Sequence, residues 1–579
     1  MTHVWEKVDV PLRAQGTYEN AYVEVDVWVD LEGPGFSKRV YGFWNGGQDF
    51  VVRVLATRAG TWKWSSGSAP HDPGLAGKSG TFEAGAWSEA ELAGNPNRRG
   101  MIVASQDGRG LEYADGTPYF LIGDTWWSVP SYRFPLALPD SPQPVGPNAT
   151  LNDLTHHRLK QGYNCVGMIA AQPGWANDGY PPVTKMADGT FVRSAWRQPG
   201  TQSGKDMHNE GGRPFLFPGK VPGFEDVMPD LDRINPEYFK VVDQKVDYLN
   251  SVGMVPFIEF SRRDAGQVWK KYHAFNESYS RYVNYCMARW HANVTLLSPI
   301  HFDSWAETIH ASEYSAAIEL ALERHGKPPF GTLLTANPQP STLVNFGPDS
   351  WVDLHQSGNV REHYTYWYLT EIFQAEPKKP AINGEPYYAG LHQLGTPYPL
   401  RVPPDSEADQ FYVRSGLYGS FLSGGLAGFI YGAEGIWNAE VEPEAVYPMW
   451  KSFLWQSGEQ IQYVKDFAMV RGMKYRELVP DSELVMPNKS GPDFSYYGWA
   501  YCARVPDKSL FLLYFENEAP VEAKVRGLTY GAQYRATWFD PRTGEWGTPT
   551  EPMDVPRSCV MALPERPDGS DWGLMLERV

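Results

Sequence analysis

The spacing of apolar positions changes twice along the chain. Near the start, Tyr22-Val23-Glu24-Val25-Asp26-Val27-Trp28-Val29 alternates apolar and polar residues, as a half-buried strand does. Asp49–Leu55 and Gly60–Trp64 follow, separated by glycine turns, and strands at this spacing predict a β-sandwich. From about residue 118 the rhythm becomes apolar run, polar loop, amphipathic helix. Strand candidates are Phe120–Gly123, Cys165–Ala170, Val255–Phe260, Leu296–Phe302, Gly331–Leu334, Trp351–His355, Ala381–Asn383 and Gly428–Tyr431. Helical periodicity covers Pro236–Ser251, Phe275–His291, Ala311–His325 and Val360–Gln374. Strands alternating with helices mean a parallel sheet, and eight of them close a TIM barrel. After about residue 476 short strands return, at Leu510–Phe515, Val521–Val525 and Tyr534 onward. The predicted fold is therefore α/β: a (β/α)8 barrel with its linker over 87–475, an N-terminal β-sandwich over 1–86 and a C-terminal β-sandwich over 476–579. For the N-terminal unit, packing against the barrel is favoured over a role as a carbohydrate-binding module.

In such barrels chemistry sits at the C-terminal ends of the strands. Those ends are rich in polar residues. They offer Asp124-Thr125-Trp126-Trp127, then Gln172 and Trp175, with Asn164 just before the second strand. The third brings Glu259, Arg262, Arg263 and Asp264, and the fourth His301, Asp303 and Trp305. Asn337 follows the fifth, His355-Gln356 the sixth, and Tyr431, Glu434 and Trp437 the eighth. The seventh, Ala381-Ile382-Asn383, runs into Gly384-Glu385-Pro386-Tyr387, so a carboxylate stands at a strand mouth where Pro386 blocks regular continuation. The long stretch from 175 to 235, with His208, Arg213 and Phe215, is expected to be a lid or subsite wall.

Composition narrows the partners. The formal charge is −17, which argues against nucleic acid and anionic membranes. Aromatic residues make up 14%, a level that suits stacking against sugar rings and also suits β-rich domains. The four cysteines show no CxxC spacing; Cys502 and Cys559 are candidates for a pair, with buried free thiols favoured. No apolar run is long enough to span a bilayer, and the N-terminus lacks signal-peptide character, so a cytoplasmic location is expected, or a secreted one if a signal has been removed. The oligomeric state is left open, a homo-oligomer included.

Cleaving an acetal takes two carboxyl groups flanking the bond. Glu385 fits the nucleophile and Asp303 the acid/base, with Glu259, Glu307 and Glu434 as rivals. Sugar-binding candidates are Asp124, Asn164, His301, Asn337, His355, Gln356, Tyr387 and Tyr431, with Trp126, Trp127 and Trp437 as stacking walls. A metal-dependent hydrolase or isomerase would have to use His301, Asp303, His310, His355 and Glu385, but no HExxH or HxH pair occurs. No P-loop or GxGxxG follows a strand, so no cofactor and no metal are expected. A non-catalytic carbohydrate-binding protein on a barrel scaffold is the third alternative.

Several of these runs resemble the apiosidase-like glycoside hydrolases. They are Gly123–Trp127, Gln356-Ser357-Gly358, Asn383–Tyr387 and Gly428–Trp437, with Gly42–Gly47 and Gly60-Thr61-Trp62 before the barrel and Trp538–Gly544 after it. The resemblance spans essentially the whole chain. It implies a small leading β-sandwich and a trailing sandwich of the type labelled collagen-binding, a label rather than an activity. It also implies retaining hydrolysis, with an Asp after the fourth strand and a Glu after the seventh, which are Asp303 and Glu385. An exo-acting enzyme releasing a terminal sugar, such as apiose or arabinofuranose, is the corresponding expectation. Two departures reshape the pocket: His301-Phe302-Asp303 stands where the family has Gly-Gly-Asp, and Asn359 stands where it has His after Gln-Ser-Gly.

Overall fold

The computed structural model describes residues 2–137, 142–171, 184–185, 191–192, 208–223, 225, 228–262, 266–302, 309–359, 365–391, 402–489 and 496–579. Its centre is a parallel sheet of seven strands. In spatial order these are Leu296–Ser298, Val255–Glu259, Cys165–Ile169, Leu121–Thr125, Gly428–Tyr431, Ala381–Asn383 and His355–Ser357. Six of the eight expected strands lie where their apolar runs stand. The sixth is displaced toward the C-terminus, from Trp351–His355 to His355–Ser357, and the expected Gly331–Leu334 strand is not regular. Residues 333–337 instead join the two outer strands by scattered bonds. Leu297 N–H donates to Leu333 and Thr335 N–H to Leu297, while Asp353 and Leu354 N–H both donate to Leu334. Helices cover the outer face, including Pro236–Ser251 and Ala311–His325 over the ranges their periodicity predicts; Thr365–Gln374 lies within the predicted Val360–Gln374, whose residues 360–364 lie outside the described ones. The result is an α/β barrel with β domains at either end of the chain.

The two-residue period of each strand sorts its side chains. Leu121, Cys165, Val255, Phe257, Leu296, Leu354, Ile382 and Ile430 belong to one buried cluster, which runs from the lumen into the N-terminal unit. Ile122, Val166, Met168, Ile258, Leu297, Phe429 and Tyr431 belong to another, between strands and helices. A small antiparallel sheet, Ile102–Ala104, Leu111–Tyr113 and Pro118–Tyr119, closes the lumen at the N-terminal end of the strands, with Tyr113 and Tyr119 in the lumen cluster.

At the N-terminus, a five-stranded and a three-stranded sheet enclose Val10, Leu12, Val29, Leu31, Val52 and Trp62. The alternating strand begins only at Asp26. Ala21–Glu24 is a helical turn that buries Ala21 and Tyr22. Arg53 from this unit reaches Asp243 on the Pro236–Ser251 helix at 2.7 Å. Burial pushes the Asp243 carboxyl up, but Arg289 and Arg53 together hold it well below the usual carboxylate range. At the C-terminus, strands Ala500–Arg504, Leu510–Phe515, Trp572–Arg578 and Gln533–Asp540 lie side by side in one sheet, and a three-stranded sheet shares its core. Cys502 and Cys559 do not pair; both are free, as are the buried Cys165 and Cys286. Among the described residues no helix is long and apolar enough to cross a membrane.

Candidate active site

Glu259 ends its strand in register with Ser298 and Ile169. It has the same parity as Val255 and Phe257, so its side chain projects into the lumen, where it is fully buried. One carboxyl oxygen contacts Nδ1 of His301, which follows the neighbouring strand. Burial pushes Glu259 well above the usual carboxylate range, and the Glu385 carboxyl beside it pushes further; the Asn337 amide and the Arg262 guanidinium oppose the shift. Asn337 is itself bridged to His301 through the backbone.

Glu385 enters this cluster from the opposite side. The Ala381–Asn383 strand pairs with His355–Ser357 and with Gly428–Tyr431, and its register carries Glu385 just past the strand end. Asn383 turns toward the helices and bonds Ser420 at 2.9 Å, while its Oδ1 accepts the Glu385 N–H at 3.2 Å. Gly384 lies against Gln356: a Cβ there would sit 1.9 Å from Gln356 Oε1. Gln356, with the lumen parity of Leu354, is held by Thr335 at 2.8 Å. Trp127 closes the mouth. A Cβ on Gly167 would lie 2.9 Å from its ring, and the ring meets His301 edge-on at 5.3 Å between centroids. Glu259, Glu385, His301, Asn337, Gln356 and Trp127 thus belong to one buried polar group at the C-terminal ends of the strands.

Other expected residues lie elsewhere. Asp124 has the parity of Ile122 and faces the helices, where it pairs with the buried Arg158 at 2.7 Å. Tyr431 faces the same way, bonding Ser457 at 3.0 Å. Trp126 stacks on Phe134 in the outer core. His355 turns outward to Thr342 at 2.8 Å, and burial pushes its imidazole down to about 4. Asn164 stands at the N-terminal end of its strand, where it accepts the Ile122 N–H and donates to the Phe120 carbonyl. The polar atoms or rings of these five meet scaffold partners, because the strand period or strand end turns them from the lumen mouth. Tyr387 is buried and donates to Asp409. Trp437 is partly buried in the turn after the Gly428–Tyr431 strand, and Glu434 is fully buried in the same turn. Asp303, Glu307, Gln172, Trp175, Arg263 and Asp264 lie outside the described residues. His208 stacks on Tyr132, Phe215 is in the core, and Arg213 lies over Phe217.

The metal-ligand set considered above does not assemble among the described residues; the grouping that does is Asp230, Asp232 and His273. Lys220 Nζ already stands 3.0 Å from Asp230 and 2.9 Å from Asp232, and His273 Nε2 accepts the Leu231 N–H. The protein's own ammonium occupies the cation position there.

The family model for the apiosidase-like catalytic domain matches residues 105–474, well over half of the chain. The chain belongs to the apiosidase-like family. A second model, for a domain of unknown function (DUF5060), matches residues 1–69 of this apiosidase-like protein. No curated protein matches the sequence. Among solved structures, one from Bacteroides vulgatus ATCC 8482 superposes with a TM-score of 0.64 at 14% identity, covering 100% of this chain and 99% of that one. A glycoside hydrolase family 5 structure from the same organism gives 0.56 at 17% identity, covering 83% and 95%. A further glycoside hydrolase gives 0.57 at 17%, covering 83% and 98%. At these identities the likeness concerns the fold.

Proposed function

We propose that this apiosidase-like protein is a retaining, exo-acting glycoside hydrolase that releases a terminal sugar, a furanose such as apiose or arabinofuranose, from a glycan or small glycoside. The scaffold in this reading is a full (β/α)8 barrel whose fifth staves are residues 333–337. The observation that carries the reading is the buried carboxyl pair Glu259 and Glu385, converging at the strands' C-terminal ends beside His301 and Gln356. Two carboxyls that close in a buried site do not both ionise readily. Burial and the neighbouring Glu385 carboxyl raise the proton affinity of Glu259, so Glu259 is the member that holds a proton.

In the first half-reaction a Glu385 oxygen attacks the anomeric carbon as the bond to the aglycone breaks. In this reading Asp303 gives its proton to the departing oxygen. Water deprotonated by Asp303 then attacks the same carbon and releases Glu385. Neutral Glu259 does not compete for the anomeric carbon. It orients His301, whose ring with Trp127, Gln356 and Asn337 lines the sugar pocket. His301 stands where the family has glycine, so the pocket wall beside Glu259 is bulkier here than in the family pattern.

Hydrolysis of 4-nitrophenyl furanosides and pyranosides by wild type, Glu385→Gln and Asp303→Asn tests the reading. Both variants are expected to lose at least about 10³-fold in kcat, or ~4 kcal/mol of barrier. Proton NMR of the first-formed product should show the substrate's anomeric configuration. Full activity in either folded variant, or an inverted product, contradicts it.

A further inference from the structure

The segment just after Glu385 is held by a carboxylate that the mechanism does not use. Asp409 is the third residue of the Glu407–Leu422 helix, whose N-cap Ser406 accepts its N–H at 3.3 Å. Its side chain is fully buried, and among the described residues no lysine or arginine pairs with it. It is satisfied by donors from two other places in the chain. Tyr387 O–H donates to Oδ1 at 2.6 Å. Gly390 N–H donates to both oxygens, at 3.0 and 3.2 Å. Asp405 N–H donates to Oδ2 at 2.7 Å. The positive end of the helix dipole favours the negative charge at this position.

The clamp is backed on its far side. The Tyr387 ring meets Tyr412 of the same helix edge-on at 5.5 Å and Tyr496 of the C-terminal unit at 5.9 Å. At Gly390 the backbone has φ +78°, and a Cβ would touch Trp455 at 3.0 Å, so this stretch fits in one path only. Glu385 stands two residues before Tyr387 and leaves its strand through Gly384, which Gln356 confines. The chain is therefore fixed immediately before and immediately after the carboxylate.

We propose that Asp409 is a positioning residue: by tying Tyr387 and Gly390 to the N-terminus of the Glu407–Leu422 helix, it sets the orientation in which Glu385 meets the substrate. This rests on the reading of Glu385 as the nucleophile. The geometry has Asp409 accepting from every partner, which is the arrangement of the ionised form. Burial nevertheless pushes the Asp409 carboxyl up to about 6, with Asp405 adding to the rise and the bonds from Tyr387, Gly390 and Asp405 opposing it. Among the described residues Tyr387, Tyr412, Tyr447 and Asp405 are titratable groups that face it, and Glu434 packs against Gly390 beside it. A proton on Asp409 would have to point at a donor, so the clamp loosens as pH falls through about 6.

The experiment compares wild type, Asp409→Asn, Tyr387→Phe and Glu385→Gln by kinetics on a 4-nitrophenyl glycoside that wild type cleaves and by amide exchange of the 385–391 segment. Asp409→Asn should lower kcat by about 10- to 100-fold, as a misplaced reacting group does, while KM stays within about threefold. Its Gly390 amide should exchange at least about tenfold faster, since the N–H loses its charged acceptor. The fall in wild-type kcat through about pH 6 should be absent in Asp409→Asn. Tyr387→Phe should lie between the two. A folded Asp409→Asn with wild-type kcat and wild-type Gly390 protection overturns the proposal. If that variant does not fold, the same null result in Tyr387→Phe overturns it. If wild type cleaves no glycoside, or Glu385→Gln is fully active, the hydrolase reading fails, and Gly390 exchange alone decides the clamp.

Discussion

Glu259 and Glu385 are both glutamates at strand ends, and the buried surroundings of Glu259 raise its proton affinity. Glu259 is sealed in the lumen against His301, and the neighbouring Glu385 charge adds to the effect of burial. Because its proton affinity is higher folded than unfolded, the native state binds more protons above the ordinary carboxylate range. Stability is then fully present at low pH and declines as pH rises from about 4.3 toward the raised folded value. Glu259→Gln carries the neutral form permanently. Its melting temperature should match or exceed wild type at pH 7 and should not share the decline, and its kcat should stay within about fivefold, whereas Glu259→Ala, which leaves His301 unsupported, should lose about 10- to 100-fold. A Glu259→Gln variant as inactive as Glu385→Gln would mean that Glu259 works as a carboxylate. At this scale the sequence was only partly readable. Asp124 and Tyr431 look like pocket residues by type and strand position, but one step along a strand reverses the face, and they serve Arg158 and Ser457. Glu259 could have been raised above a rival by counting parity from Val255 and Phe257, which are apolar and lumen-facing.

The strand Ala381–Asn383 is only three residues long, and its function depends on how it ends. Gly384 stands in close approach to Gln356, whose amide is anchored to Thr335 at 2.8 Å. Gly384→Ala should therefore cost about 1–3 kcal/mol of stability through overpacking, measurable by urea denaturation, and should lower kcat by displacing Glu385. Unchanged stability and kcat would show that Gln356 yields freely. The barrel strands were legible because their apolar runs are bounded by turn residues and separated by helical periodicity. Residues 331–337 were harder. They form their links one bond at a time, with Thr335 and Asn337 contributing side chains, and a continuous apolar run does not encode that. The start of the alternating run misled in the other direction: Tyr22–Glu24 belong to a helical turn, Ala21–Glu24, with Ala21 and Tyr22 packed inward.

Across the whole molecule, the terminal β units are joined to the barrel by buried ion pairs rather than by apolar contact alone. Arg53 and Arg289 share Asp243 on one side, and Arg414 meets Asp571 through two bonds of 2.8 Å on the other. Arg414 lies on the helix that carries Asp409, so the C-terminal unit braces the element behind Glu385. Asp571→Ala strands Arg414 without its partner and should cost about 3–5 kcal/mol, read as a fall in the calorimetric melting temperature with a loss of kcat. A wild-type melting profile would make the C-terminal unit an independent appendage. Charged residues this far apart carry no signal of pairing in a single sequence, which is why the outer domains were readable as sheets but not as braces. The central claim is that Glu385 attacks the sugar, and one measurement addresses it directly. Wild type is incubated with the 2,4-dinitrophenyl 2-deoxy-2-fluoro form of whichever glycoside it cleaves, and the trapped protein is digested and sequenced by mass spectrometry. The account predicts one sugar per chain, on Glu385; a label on another residue, or full turnover with no trapped adduct, contradicts it.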